Sequence, residues 1–434
     1  MEPKAVGGAG CGLYEDEKGV GKEQQDMERN LRYEAASDLL LEICQEEGGL
    51  AGTERIPLEQ AAGRVLAEDC CAKEPVPGFD KSAYDGYALR AADAAEASPE
   101  HPVTLTVTEE VAAGMTPRSP VTPKTAAKIL TGAPIPQGAD AVVMYEKTCF
   151  TREQVVLTEP LAPGDNIIRA GEDIQAGDLL LEKGRIVGSG EAGLLASQGI
   201  WEPLVYRRLR VGILSTGTEV TDEKGDLPMG MIRNVNRYLL AAALAGEGME
   251  PIYLGAAMDD PKEIGERIRQ EGSKWDVLLC TGGVSAGDYD LTPAAMEQAG
   301  ARLLFRGVDM KPGMACAYGI LDGKLLCGLS GNPAAAMTNF YLLALPALRK
   351  LAGRRPYRLE PVELELADRF EKPSKKTRIL RGRLDLSEGR ARLRLPEHQG
   401  NSAVSSLTDC QALAVVPAGS GPLPEGTRLR GYLL

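Results

Sequence analysis

Trp275-Asp-Val-Leu-Leu-Cys-Thr-Gly-Gly-Val-Ser-Ala-Gly-Asp-Tyr-Asp-Leu-Thr-Pro293 decides the architecture of this chain. Its first six residues, an apolar run, read as a buried parallel strand. Gly282, Gly283 and Gly287 follow, together with Ser285 and the carboxylates of Asp288 and Asp290. Thr292-Pro293 predicts a helix start, with a hydroxyl N-cap and proline at the first helical position. Glycines, a hydroxyl and acids therefore lie at the carboxyl end of a strand, facing a helix amino terminus. Open α/β sheets bind ligands there. Bare backbone amides can hold an anion at such a place, and the carboxylates can hold a metal.

The same texture extends on both sides. Arg210-Val-Gly-Ile-Leu-Ser and Glu250-Pro-Ile-Tyr-Leu read as strands, and so do residues 302–308. Asn236 is expected to cap a helix reaching about Ala245, and Asp260-Pro261 to start another. Asp322-Gly323 marks a hairpin, and Gly331-Asn-Pro333 introduces a long apolar helix to about Leu351. Strands alternating with helices predict a doubly wound α/β domain over 208–353. A linker at 353–356 leads to short strands, expected to form a β-barrel over 357–434. Residues 74–168, strand-like runs broken by Pro/Gly turns, predict a small β subdomain. Helical periodicity from residue 28 to about 71, a short helix at Pro57-Leu-Glu-Gln-Ala-Ala and another near 190–198 suggest a discontinuous helical and mixed subdomain from 28–73 and 169–207. Residues 1–27, Gly-rich and charged with no apolar core, read as a disordered extension rather than a secretory signal.

The 434 residues are too many for one ordinary core, in keeping with several domains. A hydrophobic content of 43% with 26% charged residues is that of a water-soluble globular chain, and no run of ~18 apolar residues predicts a membrane span. The net charge of −13 argues against nucleic acid as the main partner but leaves room for a small anion in a locally basic pocket. The nine cysteines form no CxxC pair and read as reduced thiols in a cytoplasmic protein. With only two histidines, any chemistry must rest on carboxylates and lysines.

Three loops should meet at one sheet edge: Ser215-Thr-Gly-Thr-Glu219, the opening loop, and Leu329-Ser-Gly-Asn-Pro333. One such loop alone is best read as a glycine-enabled turn. Three with the same placement, carrying acids beside glycines, point to a binding cleft. Lys311-Pro-Gly313 could direct an ammonium into it. Asp80-Lys-Ser-Ala-Tyr-Asp-Gly-Tyr87 reads equally well as a turn cornered on Asp85-Gly86. The glycine spacing matches neither a dinucleotide fingerprint nor a Walker loop.

Taken in order, Phe79-Asp-Lys-Ser-Ala-Tyr-Asp-Gly-Tyr-Ala88, Thr131-Gly-Ala-Pro-Ile-Pro-Gln-Gly-Ala-Asp-Ala-Val-Val143, Gly171-Glu-Asp-Ile174, Ser215-Thr-Gly-Thr-Glu219, the opening loop, Lys311-Pro-Gly313 and Gly331-Asn-Pro333 resemble the molybdopterin molybdenumtransferase family, which includes MoeA and the gephyrin E domain. The resemblance spans residues 28–434. It implies an elongated cytoplasmic homodimer whose cleft lies between the α/β domain of one chain and the β subdomains of the other. It also implies an activity: metal-dependent cleavage of adenylylated molybdopterin, insertion of molybdate, and release of AMP. Implied partners are the molybdopterin adenylyltransferase and apo-molybdoenzymes. Matched residue by residue, the family's essential acids fall on Asp85, Asp173, Glu219 and Asp290. Thr131, Ser285 and Lys311 match cleft residues, and Arg381 matches an arginine of the carboxyl-terminal subdomain.

The chemistry agrees with that match. Glu219, Asp288 and Asp290 suit Mg²⁺ or another divalent cation, and Gly282, Gly283, Ser285 and Lys311 suit a molybdate dianion. There are departures. Met314-Ala315 stands where the family often carries a second lysine, Ser330 where proline is usual, and Ala335 where a hydroxyl is common. Gln399-Gly-Asn-Ser402 matches a serine-bearing segment only loosely. The alternatives are a scaffolding module of the same fold and a tungstate-handling paralogue. Retention of the four acids together favours the enzyme.

Overall fold

The computed structural model describes residues 28–44, 52–284 and 291–434. The expectations for residues 1–27, and for Ser285, Asp288 and Asp290, lie outside those residues.

Around the opening strand, now Val277–Thr281, a seven-stranded sheet assembles in the order 28–31, 302–308, 317–321, 324–329, 277–281, 210–216, 250–257. All neighbours are parallel except those of Ala317–Leu321, which runs antiparallel to both of its own. The central strands are buried on both faces, which is why they read as continuous apolar runs. Their alternation still sorts the two faces: Val277 and Leu279 join one core with Leu240, Phe305 and Phe340, while Leu278 and Cys280 join another with Ile264, Trp275 and Met296. This is the doubly wound arrangement expected. Asp260 caps the helix Pro261–Gln270 by accepting from Lys262 N at 3.0 Å. Asp322-Gly323 closes the hairpin between Ala317–Leu321 and Lys324–Leu329. The long apolar helix runs Pro333–Asn339, then a π-helical turn Phe340–Ala344, then Leu345–Leu351.

Four local expectations give way. Glu28–Leu31 is a strand, not helix; it pairs with Arg302–Val308 at the sheet edge, and the helix starts only at Tyr33. Pro57-Leu-Glu-Gln forms one 3₁₀ turn, Leu58–Gln60. The helix Val235–Gly246 is capped by Asn234, whose Oδ1 accepts from Arg237 N at 3.2 Å, because Asn236 is turned inward to other partners. Thr292 is not an N-cap: it lies inside the helix Leu291–Gln298 and uses its hydroxyl as a donor.

Elsewhere, six strands in the order 141–144, 86–89, 125–129, 103–111, 154–157, 148–150 form the β subdomain, with Tyr87, Leu105 and Val155 in its core. Short strand pairs and the helix Ser189–Ser197 surround a separate core that includes Leu66, Val187 and Val205. At the carboxyl end, Thr377–Asp385, Arg392–Arg394, Pro361–Leu366, Arg428–Leu433 and Ala412–Val416 close into a five-stranded barrel. Met310–Lys311 adds to it in parallel, tying the α/β sheet to the barrel. No helix among the described residues is long and apolar enough to cross a membrane. The described cysteines are free, and five of them are buried.

Candidate functional site

The carboxyl ends of three adjacent parallel strands, 210–216, 277–281 and 324–329, open into a cleft of about 950 Å³. All three loops singled out in the sequence line it, represented by Glu219, Gly282 and Gly283, and Ser330 to Pro333. The loops hold one another. Thr216 Oγ1 donates to Thr281 O at 3.2 Å, and Gly282 N donates to Leu329 O at 3.0 Å. Gly282 has φ +101°, and a β-carbon there would lie 2.6 Å from both Thr216 O and Thr216 Oγ1. Thr292 closes the far side: its hydroxyl donates to Gly282 O at 2.7 Å and its amide to Gly283 O at 2.9 Å. Gly282's amide therefore belongs to the loop-to-loop contact and does not face an anion.

Asn236, buried in the helix that follows, donates Nδ2 to Gly331 O at 2.9 Å and fixes the third loop. Asn234 bonds Ser215 and the Tyr253 hydroxyl, whose pKa is pushed up to about 12 by burial and by its hydrogen bond to Asp222. Glu219 is exposed at the rim, close to Gly217. Asp259, an acid the sequence reading passed over, lines the same rim and accepts from Thr218 N at 3.2 Å. Among the described residues no three His, Cys, Asp or Glu side chains converge to hold a metal.

The opposite wall comes from Lys311 and the barrel. The turn after Lys311 is held by Asn339, fully buried, which donates Nδ2 to Gly313 O at 3.0 Å and accepts from the Tyr318 hydroxyl at 2.5 Å. Asn401 O caps the helix at Pro333 by accepting from Ala334 N and Ala335 N at 3.0 and 3.2 Å. Ser402 Oγ meets Asn332 Oδ1 at 2.5 Å. Asn401, Ser402 and Lys376 line the cleft, none of them foreseen as such from sequence. Arg381 does not reach it: 1% exposed, it donates to Ser406 Oγ at 2.9 Å and Gly400 O at 3.1 Å from inside the barrel wall. Its effect is to shape the segment that carries Asn401 and Ser402.

Asp85 and Thr131 form a second group. Asp85 Oδ1 accepts from Thr131 N at 2.7 Å and Thr131 Oγ1 at 2.8 Å. These two donors hold its carboxyl below the usual aspartate range. The close approach of strand 86–89 to 141–144, where a β-carbon on Gly86 would lie 1.8 Å from Val143 O, leaves no room for another residue after Asp85. Asp173 is exposed in a turn tied by its amide to Val76 O at 3.0 Å. The strand pair 81–82 and 167–168 connects the two turns. None of these residues lines the cleft of its own chain. Thr131→Val, which removes one of the two donors, is expected to raise the Asp85 pKa. The depressed carboxylate favours the folded state above the ordinary aspartate pKa, and that contribution fades as pH falls through the lowered value. Carbon-detected NMR titration of Asp85 in both proteins reads the shift; coincident curves would show that the hydroxyl does not hold the charge.

Three family models match the chain: MoeA N-terminal region (domain I and II) over residues 31–199, probable molybdopterin binding domain over 212–350, and MoeA C-terminal region (domain IV) over 363–434. Molybdopterin molybdenumtransferase of Bacillus subtilis (strain 168) is 38% identical over 387 residues, covering 88% of this chain and 90% of the relative. The protein of that name from Staphylococcus aureus (strain COL) is 33% identical over 371 residues, covering 86% and 88%. The crystal structure of the molybdopterin biosynthesis moeA protein from Pyrococcus horikoshii OT3 superposes with a TM-score of 0.80 at 31% identity, covering 93% of this chain and 100% of that one.

Proposed function

The chain belongs to the MoeA family of molybdopterin molybdenumtransferases, transferases of molybdenum-cofactor biosynthesis, and from this premise we propose that its strand-end cleft takes adenylylated molybdopterin and molybdate and releases AMP. The observation that carries the proposal is the meeting, in one cleft, of glycine-rich strand ends with Lys311 on one wall and Glu219 on the rim. The volume of about 950 Å³ suits a nucleotide-sized ligand.

In this reading the amide of Gly283, the hydroxyl of Ser285 and the ammonium of Lys311 hold the oxyanion. Gly282 shapes the loop rather than donating. Glu219, with Asp288 and Asp290, would hold Mg²⁺ or another divalent cation; the two described rim carboxylates, Glu219 and Asp259, suit a hard cation that retains several of its waters. The cation, when bound, neutralises charge on the phosphate oxygens. Asp85 and Asp173, with Thr131, complete the site from the partner subunit of a homodimer. Arg381 positions the 400–406 segment. The enzyme works in the cytoplasm, between the adenylyltransferase that makes its substrate and the apo-molybdoenzymes that take its product.

The test is AMP release, followed by chromatography, from adenylylated molybdopterin with molybdate and Mg²⁺. Release is expected, and chelation of divalent cations should lower it by roughly tenfold or more. A parallel reaction with tungstate decides which oxyanion is preferred. Silence with both oxyanions would overturn the enzymatic reading in favour of a scaffold.

A further inference from the structure

We propose that Asp222 is a positioning residue of the cleft: clamped by Tyr253 and Arg237, it sets where the Glu219 carboxylate stands beside Asp259. The inference rests on the reading of these two rim carboxylates as ligands of a divalent cation. Glu219 opens a long excursion of the chain, which leaves the sheet after the strand Arg210–Thr216 and ends at the helix Val235–Gly246. The base of the excursion is a two-residue parallel pairing, Val220 with Ile232 and Thr221 with Arg233. Ile232 N donates to Glu219 O at 2.8 Å, and Asn234 N donates to Thr221 O at 3.0 Å.

Side chains fasten this excursion to the sheet. Asn234, buried, donates Nδ2 to Ser215 Oγ at 3.0 Å and to the Tyr253 hydroxyl at 3.1 Å. Ser215 comes just before the excursion and Asn234 at its end, so one amide group pinches both of its ends. The Tyr253 hydroxyl donates in turn to Asp222 Oδ2, inside the excursion. Burial and that bond push the Tyr253 pKa up to about 12, so the phenol stays a donor at neutral pH. Arg237 completes the clamp: its Nη1 lies 3.1 Å from Asp222 Oδ1, and its guanidinium carbon lies 3.8 Å from the centre of the Tyr253 ring.

The clamp and the second rim acid share one strand. Tyr253 belongs to Glu250–Ala257, and Asp259 follows just beyond its end. Asp259 also accepts from Thr218 N at 3.2 Å. Glu219 is thus bracketed, with a tie to Asp259 on one side and the Asp222 clamp on the other. The Asp222–Arg237 pair is partly exposed, at 30% for each side chain. Pairs of that kind add little to stability. Their directionality matters more here, because groups outside a cation's own ligands fix how those ligands point.

The experiment follows Mn²⁺ binding to the protein alone, by the EPR signal of the free ion, in the wild type, Tyr253→Phe, Asp222→Ala and the double variant. Each single variant should weaken Mn²⁺ binding about tenfold. The denaturation midpoint should stay within about 2 °C of wild type, and the KM for the pterin nucleotide within about twofold. Because both substitutions remove the same bond, the double variant should bind within about twofold of the weaker single one. Wild-type affinity in Tyr253→Phe, or losses that multiply in the double variant, would overturn the proposal. So would a midpoint that falls in step with the affinity, the mark of general loosening. If the wild type binds no Mn²⁺, the cation reading has failed instead. Hydrogen exchange then decides the clamp on its own: faster exchange at the amides of Val220, Ile232 and Asn234 in Asp222→Ala supports it, and unchanged exchange refutes it.

Discussion

Replacing Gly282 with alanine should lower stability by about 2–4 kcal/mol and reduce AMP release by roughly a hundredfold or more. Two penalties act at the same atom. The backbone sits at φ +101°, which an L side chain rarely adopts, and the added carbon would stand 2.6 Å from a carbonyl and a hydroxyl of Thr216. Neither obstacle is the free end of a flexible chain. Relief requires the strand ends 210–216 and 277–281 to separate, which opens the 3.0 Å bond from Gly282 N to Leu329 O and the 2.7 Å bond from Thr292 to Gly282 O. All three loops of the cleft are then displaced together. The effect should be read as an earlier denaturation midpoint and a fall in turnover. A variant with both unchanged would mean that the loops are not in contact as described. Gly323→Ala serves as the comparison: it is also at positive φ, but its added carbon meets nothing within 4 Å.

The second large effect concerns subunits. Asp85→Asn and Glu219→Gln should each reduce activity by more than roughly a hundredfold, yet mixing the two inactive proteins should restore about a quarter of wild-type activity. The reason is geometric. Glu219 lines the cleft of its own chain, whereas Asp85, Thr131 and Asp173 line no part of it. If the cleft is completed by a partner, a mixed dimer contains one site with both acids intact and one with neither. Random exchange yields mixed dimers about half the time, and half of their sites are whole. If each cleft served only its own chain, every site in the mixture would carry one lesion and activity would stay at the floor. Denaturation and joint refolding before the assay ensures exchange, and wild-type protein taken through the same cycle sets the scale.

Much of this was readable in advance, and for a physical reason. Central parallel strands are buried on both faces, so Arg210–Thr216 and Val277–Thr281 announce themselves as apolar runs. The glycines at 282 and 283 mark the ends of such strands because the turn needs positive φ there. The convergence of three loops followed from strand order alone. What stayed hidden depended on contacts between distant segments. Glu-Arg-Asn-Leu at 28–31 carries no alternation, and only its pairing with residues far along the chain makes it a strand. Thr292 has the residue type of a cap, but the carbonyls of Gly282 and Gly283 recruit it as a donor. Arg381 is marked only by its match to an arginine of the family's carboxyl-terminal subdomain, while the barrel register turns it inward onto Ser406 and Gly400. Lys376 reaches the cleft through a two-residue ladder between domains, which no local pattern encodes.

The edge strand Glu28–Leu31 has a consequence for how the protein is made. It leaves the ribosome long before its partner Arg302–Val308, which follows well over half the chain later. At roughly 5–20 residues per second, that is a wait of tens of seconds or less, with Tyr33, Leu40 and Leu41 lacking the surfaces that bury them. The small β subdomain has all six of its strands in hand long before then and can close first. Synthesis thus imposes an order on assembly: the middle of the molecule sets, and its beginning is threaded into the sheet near the end. A nascent chain halted before residue 302 should hold its amino-terminal helix open to any chaperone that grips apolar segments.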